Sequence, residues 1–148
     1  MGSMNYPAPK LQERDEDFIE VLNNLINENP NEITLVTLGP LTNVANFITK
    51  YPESFLKLKR VVIMGGAANT VGNVTPAAEY NIWCDPEAAD IVFKSKHHDI
   101  AMVGWELCRG DANLTEEEME LAYSFKTDRA DFTIDCNKHA LDSSQNWL

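Results

Sequence analysis

VVIMGGAANTVGNVTPAAEYNIWCDPEAA, residues 61–89, has the strongest structural signal in the chain. It begins with four apolar residues, three of them β-branched, which is typical of a strand buried on both faces in a parallel sheet. The run stops at Gly65 and Gly66, where the backbone can turn or approach a ligand without a Cβ in the way. Because ligands of open α/β sheets bind at the carboxyl ends of the strands, we predict a ligand-facing loop after residue 64.

Three polar residues of this loop, Asn73, Glu79 and Asn81, suit a ligand with neighbouring hydroxyl groups. An amide both donates and accepts hydrogen bonds, whereas an ionised carboxylate only accepts them. If residues 79–81 are extended, Glu79 and Asn81 point to the same side and can face one ligand. The alternative is that all three are loop residues solvated by water, since loops are rich in such side chains.

A helix is predicted to follow, with Asp85 at the N-cap, Pro86 at the first helical position and Glu87 in the first turn. The N-cap role already accounts for an aspartate at position 85, so no catalytic role is assigned to it. Patterns elsewhere predict helices over residues 16–29, 41–51, 116–125 and 128–141, and strands over 33–38 and 100–105. This alternation indicates an α/β fold, with an open, mostly parallel sheet and helices on both faces.

The composition is that of a soluble globular protein, with 148 residues of which 44% are hydrophobic. We predict a single α/β domain over residues 15–148 and an irregular lead-in over 1–14, whose first three residues read as a remnant of cloning. The net charge of −11 argues against nucleic acid and anionic membranes as partners. No apolar run approaches the roughly 20 residues that span a bilayer, so we expect a cytoplasmic protein.

Neither the cysteines nor the histidines show the spacing of a metal site. Cys84, Cys108 and Cys136 are odd in number and widely separated, which favours buried thiols over a disulfide framework. His97 and His98 lie in a polar turn and are expected to be solvated.

Four blocks occur in a fixed order: LGPLTN (38–43), MGG (64–66), GNVTPAAEYN (72–81) and DPEAA (85–89). Together they resemble the inosine-uridine preferring nucleoside hydrolases, over roughly residues 33–108. The resemblance implies a Rossmann-like open α/β fold and hydrolysis of the N-glycosidic bond of ribonucleosides to ribose and a free base. It also implies a calcium ion that binds the attacking water and the ribose hydroxyls, with an aspartate as general base.

The resemblance assigns roles to five residues of this chain. The backbone carbonyl of Leu38 matches the family's main-chain calcium ligand, and Met64 matches a residue lining the sugar pocket, although Met64 also fits a core position at a strand end. Asn73 and Glu79 match the residues that bind the ribose 5′ hydroxyl. Asn81 matches the amide that binds the ring hydroxyls near calcium.

The family's aspartate-rich motif and its later calcium-binding aspartate are absent from this chain, so no catalytic residue is assigned. One backbone carbonyl cannot hold Ca²⁺ against water, because such sites take 6 to 8 oxygens. We therefore expect a truncated, central segment of a nucleoside hydrolase, inactive alone, with a ribonucleoside or ribose as ligand and a homo-oligomeric or complementing chain as partner. The alternative is a noncatalytic ribose-binding or oligomerisation module with the same fold.

A third interpretation is a dinucleotide-binding fold, suggested by a strand followed by glycines and a helix. Gly65, Gly66 and Gly72 do not form G-x-G-x-x-G, and the helix begins too far after the strand. The sequence therefore favours the hydrolase interpretation over a dinucleotide site.

Overall fold

The computed structural model of the chain describes residues 10–12, 15–109, 112 and 114–144. Most of the predicted lead-in, including residues 1–3, lies outside these ranges. Two compact units are distinguished, residues 14–113 and residues 1–13 with 114–148, and each is described by itself.

The larger unit alternates helices and strands as predicted. Its elements are α1 (Phe18–Glu28), β1 (Thr34–Thr37), α2 (Thr42–Lys50), α3 (Pro52–Phe55), β2 (Arg60–Met64), α4 (Tyr80–Cys84), α5 (Pro86–Lys94), β3 (Ile100–Val103) and a 3-10 helix (Trp105–Arg109). The smaller unit contains α6 (Glu116–Ser124) and α7 (Asp128–Ser144).

The described strands form one parallel sheet in the order β1-β2-β3. Leu35 lies beside Val61, and Val61 beside Ile100, so these side chains share a face. This arrangement confirms the predicted open, parallel α/β fold. Because each strand is added on the same side of the previous one, right-handed crossovers place their helices on one face of the sheet.

The core fills the space between that face and the crossover helices. Val61 and Ile63 of β2 are fully buried and join a cluster of helix residues. The members from α1, α2, α3 and α5 are Ile26, Val44, Ala45, Phe47, Phe55, Ala88, Ala89 and Val92. The opposite face exposes Val36, Met64 and Val103, with 55%, 40% and 38% of their surfaces accessible.

One predicted strand end shifts in the structure. The strand predicted to reach residue 105 stops at Val103, because Gly104 and a 3-10 turn follow it. The sequence places Thr115 three residues before Glu118, a pattern that predicts a capping box, and the structure has that box at the start of α6. Helical spacing would turn Tyr123 of α6 inward, but 53% of its surface is exposed.

The predictions for the cysteines and for His97 are wrong. Cys84, Cys108 and Cys136 are all exposed, because each occupies a solvent-facing position of a helix. The side chain of Cys84 is hydrogen-bonded to Tyr80, which raises the pKa of the Tyr80 hydroxyl. His97 is buried and only its neighbour His98 is exposed, because His97 finds main-chain partners across the sheet.

Among the residues described above, no helix is long and apolar enough to cross a membrane.

Candidate functional site

The predicted site residues lie at the carboxyl ends of adjacent strands. Thr37 pairs with Ile63, so Leu38, which follows β1, lies beside Met64, the last residue of β2. Leu38 is 71% exposed, whereas Met64 is 40% exposed and pairs with Val103 of β3. Three loops therefore leave the sheet at one edge, as expected for a ligand site of an open α/β fold.

The glycine pair continues alongside β3 after β2 ends. The amide of Gly65 donates to the carbonyl of Val103 at 3.0 Å, and the amide of Trp105 donates to the carbonyl of Gly66 at 2.7 Å. Gly66 has φ of 85°, a conformation that favours glycine. A Cβ on Gly66 would also lie 2.7 Å from the sulfur of Met102. The backbone path at this position therefore depends on glycine.

The loop over residues 72–78 closes on itself and presents Asn73. Gly72 donates to the carbonyl of Pro76, and a Cβ on Gly72 would lie 2.1 Å from the carbonyl oxygen of Ala78. The side-chain oxygen of the exposed Asn73 accepts a hydrogen bond from the Tyr80 amide at 2.9 Å. Since this bond occupies the oxygen, the Asn73 side chain is oriented with its NH₂ group available to a ligand.

Glu79 is 6% exposed and is bound mainly by backbone amides. Its carboxylate accepts from the amides of Gly66 at 2.8 Å, Asn81 at 2.9 Å and Ile82 at 3.4 Å. Glu79 is thus the N-cap of α4, and it also fixes the glycine pair to the start of that helix. A carboxylate has about four acceptor positions, so three amides leave Glu79 little capacity for a ligand.

Asn81 is 7% exposed and is held by β2. Its Nδ2 donates to the carbonyl of Met64 at 3.0 Å and lies 3.5 Å from the Met64 sulfur. That bond directs the other amide atom, an acceptor oxygen, away from the strand. Glu79 and Asn81 do not lie on an extended segment, because α4 begins at Tyr80. They still lie close together, since Glu79 binds the amide of Gly66 and Asn81 binds the carbonyl of Met64.

Asp85 is the N-cap of α5, as predicted. It accepts a hydrogen bond from the Ala88 amide at 3.0 Å, and the hydroxyl of Thr42 in α2 donates to its other oxygen. The Thr42 hydroxyl, followed by the Ala88 amide, lowers the pKa of the Asp85 carboxyl. Thr42 was not foreseen, since no local pattern relates residues that are 43 positions apart.

Substitution of Asp85 by alanine is expected to destabilise the chain, and substitution by asparagine less so, because asparagine keeps an acceptor for the cap. The lowered pKa means that folded Asp85 holds its proton less tightly than the unfolded chain does. Its contribution is therefore present above the ordinary value of 3.8 and is lost as pH falls below it. Urea unfolding of wild type and both variants at several pH values measures this difference. A wild-type advantage over Asp85→Ala that persists unchanged in acid would contradict the assignment.

The described residues do not form a calcium site by themselves. They contain no group of three or more histidine, cysteine, aspartate or glutamate side chains placed to hold a metal. The carbonyl of Leu38 is one oxygen where Ca²⁺ takes 6 to 8, and the Glu79 carboxylate is already bound to amides.

The chain is similar to known nucleoside hydrolases. The family model described as inosine-uridine preferring nucleoside hydrolase matches residues 1–146. The probable uridine nucleosidase 1 of Oryza sativa subsp. japonica is 42% identical over 135 residues, which are 91% of this chain and 41% of that protein. The pyrimidine-specific ribonucleoside hydrolase RihA of Shewanella sp. (strain ANA-3) is 45% identical over 114 residues, 77% of this chain and 35% of that protein.

A solved structure gives the same result. The purine-preferring ribonucleoside hydrolase from Gardnerella vaginalis is 30% identical, with a TM-score of 0.77, over 85% of this chain and 39% of that one. The chain thus spans less than half the length of each of these relatives.

Proposed function

The chain belongs to the inosine-uridine preferring nucleoside hydrolase family, and we propose that it forms the sugar-contacting segment of an enzyme that hydrolyses the N-glycosidic bond of ribonucleosides. The observation that supports this most is the arrangement of Asn73, Glu79 and Asn81 at the carboxyl edge of the sheet. The backbone of Tyr80 holds Asn73, and the backbone of Gly66 and Met64 holds Glu79 and Asn81.

The arrangement suits a neutral, hydroxyl-rich ligand. Asn73 is oriented to donate a hydrogen bond and Asn81 to accept one. A sugar hydroxyl can accept the first bond and donate the second. The buried carboxylate of Glu79 and the net charge of −11 disfavour an anionic ligand such as a phosphate. A ribonucleoside or ribose therefore fits better than a nucleotide.

In this proposal the groups that cleave the bond come from further polypeptide. Two acidic side chains of the loop region are already engaged, Glu79 with backbone amides and Asp85 with its helix cap and Thr42. Within the described ranges, the buried oxygens Thr37 Oγ1 and Glu106 Oε2 have no hydrogen-bond partner, and both residues lie at or just beyond strand ends of the same edge. Further polypeptide bearing donors and carboxylates at this edge would complete the site.

The purified 148-residue chain is expected to show no saturable hydrolysis of inosine or uridine and no tight binding of Ca²⁺. Release of ribose, followed with and without a chelator, tests the first expectation, and calorimetric titration with Ca²⁺ tests the second. Saturable hydrolysis that is lost on chelation would show that this chain completes the site, and would overturn the proposal that it supplies only the sugar-contacting part.

The role of the loop is tested by placing residues 15–109 into the aligned position of the rice relative. We expect an active chimera in which Asn73→Ala lowers kcat/KM by about 10- to 100-fold, the range for losing one hydrogen bond to substrate. Asn46→Ala is the matched control, because Asn46 is an exposed amide on α2. Equal activity of the two variants would reject the sugar-contacting role of Asn73.

A second candidate is a noncatalytic module that binds ribose or associates with itself. It is favoured by the exposed apolar residues on one face of the sheet, Val36, Met64 and Val103. Binding of ribose by the chain without calcium, or a dimer in size-exclusion chromatography that Val36→Lys converts to a monomer, would support this module.

A further inference from the structure

A carboxylate at the carboxyl end of β3 has a buried oxygen that no described residue binds. Glu106 lies in the 3-10 helix that follows β3. Its Oε2 is buried and has no hydrogen-bond partner among the described residues. The residue as a whole is partly exposed, so a ligand can approach it from the solvent. Because a carboxylate only accepts hydrogen bonds, and a buried one without a donor is unfavourable, this oxygen calls for a donor from outside the described chain.

Two neighbouring glycines place Glu106 beside the sugar loop. Strands β2 and β3 end level with each other, so Gly65 and Gly104 follow them side by side. A Cβ on Gly104 would overlap the Glu106 carboxylate. A Cβ on Gly65 would lie 3.1 Å from Oε2 of Glu79. Each glycine therefore leaves room for one carboxylate, and both carboxylates lie at the edge where ligands of open α/β folds bind.

The two carboxylates differ in the capacity that is left for a ligand. Backbone amides fill three of about four acceptor positions of Glu79. Oε2 of Glu106 accepts from none of the described groups. A metal ion fits Glu106 less well than a hydroxyl does, because the described residues contain no group of three or more acidic, histidine or cysteine side chains placed to hold one. A hydroxyl needs only the one carboxylate, and its hydrogen bond to a charged acceptor is a strong one.

We propose that Glu106 is a specificity residue of the sugar site, whose carboxylate accepts a hydrogen bond from one hydroxyl of the ribose. This inference rests on the proposed function. Asn73 and Asn81 contact the sugar at the end of β2, and Glu106 meets it at the end of β3, one strand further along the same edge. The last side-chain torsion of a glutamate is broad, so its unpartnered oxygen can turn toward the ligand. A sugar that lacks this hydroxyl leaves the carboxylate without a donor.

The test uses the chimera that carries residues 15–109 in the rice relative, with uridine and its 2′-, 3′- and 5′-deoxy analogues as substrates. We expect Glu106→Ala to lower kcat/KM for uridine by about 10- to 100-fold, the range for losing a hydrogen bond to a charged group. With one analogue, the one that lacks the bound hydroxyl, the same substitution should change kcat/KM by less than about threefold. Glu106→Gln keeps a neutral acceptor, so it should lose less activity on uridine than Glu106→Ala.

Glu87→Gln is the matched control, because Glu87 is an exposed carboxylate in the first turn of α5. The proposal is overturned if Glu106→Ala lowers kcat/KM by the same factor with all four substrates, or by no more than the control does. Asn73→Ala in the same chimera tells this failure from that of the proposed function. If Asn73→Ala still lowers kcat/KM, the loop contacts the sugar and only the role of Glu106 is wrong; if it has no effect either, the proposed function fails.

A second measurement uses the 148-residue chain without ligand, in case the chimera is inactive. Glu106→Gln replaces an unpartnered buried charge by a neutral amide, so we expect the unfolding temperature to stay level or to rise by up to about 3 °C. Glu79→Gln, at a carboxylate bound by backbone amides, is expected to lower it. Any fall for Glu106→Gln beyond the error of the measurement would show that the carboxylate has a donor within the chain, and would overturn the proposal.

Discussion

Replacement of Glu79 by alanine is expected to lower the free energy of unfolding by about 3 kcal/mol, because it leaves several amides without their charged acceptor. The carboxylate is 6% exposed and binds the amides of Gly66 and Asn81 within 2.9 Å. It also caps α4, so the first turn of that helix loses its acceptor as well. The loop and the helix are expected to separate when the carboxylate is removed.

Two further variants, Glu79→Gln and Glu87→Ala, show how much of the loss is due to the charge of Glu79 and how much to its position. Glu79→Gln keeps the shape and one acceptor oxygen, but its NH₂ group must face an amide donor, so we expect a smaller loss of about 1–2 kcal/mol. Glu87→Ala removes an exposed carboxylate from the first turn of α5 and is expected to cost about 0.5 kcal/mol. Urea unfolding measures all three.

Hydrogen exchange decides whether Glu79 holds the loop or only binds ligand. If it holds the loop, the amides of Gly66, Asn81 and Ile82 lose protection in Glu79→Ala without any ligand present. If Glu79 acts only on a ligand, exchange at these amides stays at the wild-type rate. A stability loss no larger than that of Glu87→Ala would contradict the role of Glu79 in holding the loop to α4.

The parts of the fold that the sequence predicts are those with local signals. The strand at residues 61–64 is a short β-branched run ended by glycine, and the structure has a strand there. The helix after Asp85 and the capping box at Thr115 depend on residues within one turn of each other. Such signals act through backbone groups three or four positions away, so they can be recognised without knowing the fold.

The parts that could not be predicted depend on residues far apart in the chain. Glu79 binds an amide 13 positions earlier, and Asp85 binds a hydroxyl 43 positions earlier. His97 reads as a solvated turn residue until Leu58 is brought within 2.8 Å of it. Hydrophobic periodicity marks strands but not their order in the sheet, so it also could not show that the described crossovers share one face.

The structure brings the predicted site residues together, but the different surroundings of their side chains were not predicted. Asn73, Glu79, Asn81 and Met64 do meet at the end of β2. Residue type and spacing predicted either that Asn73, Glu79 and Asn81 suit the hydroxyls of one ligand or that all three are solvated loop residues. The structure instead shows one buried carboxylate that organises the loop and two amides whose orientation the backbone sets. Their contact with a sugar stays a prediction.

Gly66→Ala is the second substitution with a large expected effect, a loss of about 3 kcal/mol in the free energy of unfolding. Gly66 has φ of 85°, a conformation that is unfavourable for any residue with a Cβ. A Cβ there would also lie 2.7 Å from the Met102 sulfur. Gly39→Ala is the matched control, since a Cβ at Gly39 meets nothing within 4 Å. We expect that control to change stability by less than about 0.5 kcal/mol.

A double-mutant cycle with Met102→Ala separates the two causes at Gly66. Removing the Met102 side chain relieves the contact but not the backbone strain, so Gly66→Ala should cost about 1 kcal/mol less in that background. If the full cost remains, strain alone is responsible; if Gly66→Ala behaves like Gly39→Ala, the described backbone path is wrong. Because the Gly66 amide binds Glu79 at 2.8 Å, the alanine variant should also expose the Asn81 amide to exchange. Strain at one glycine would then reach Asn81 through the Glu79 carboxylate that joins them.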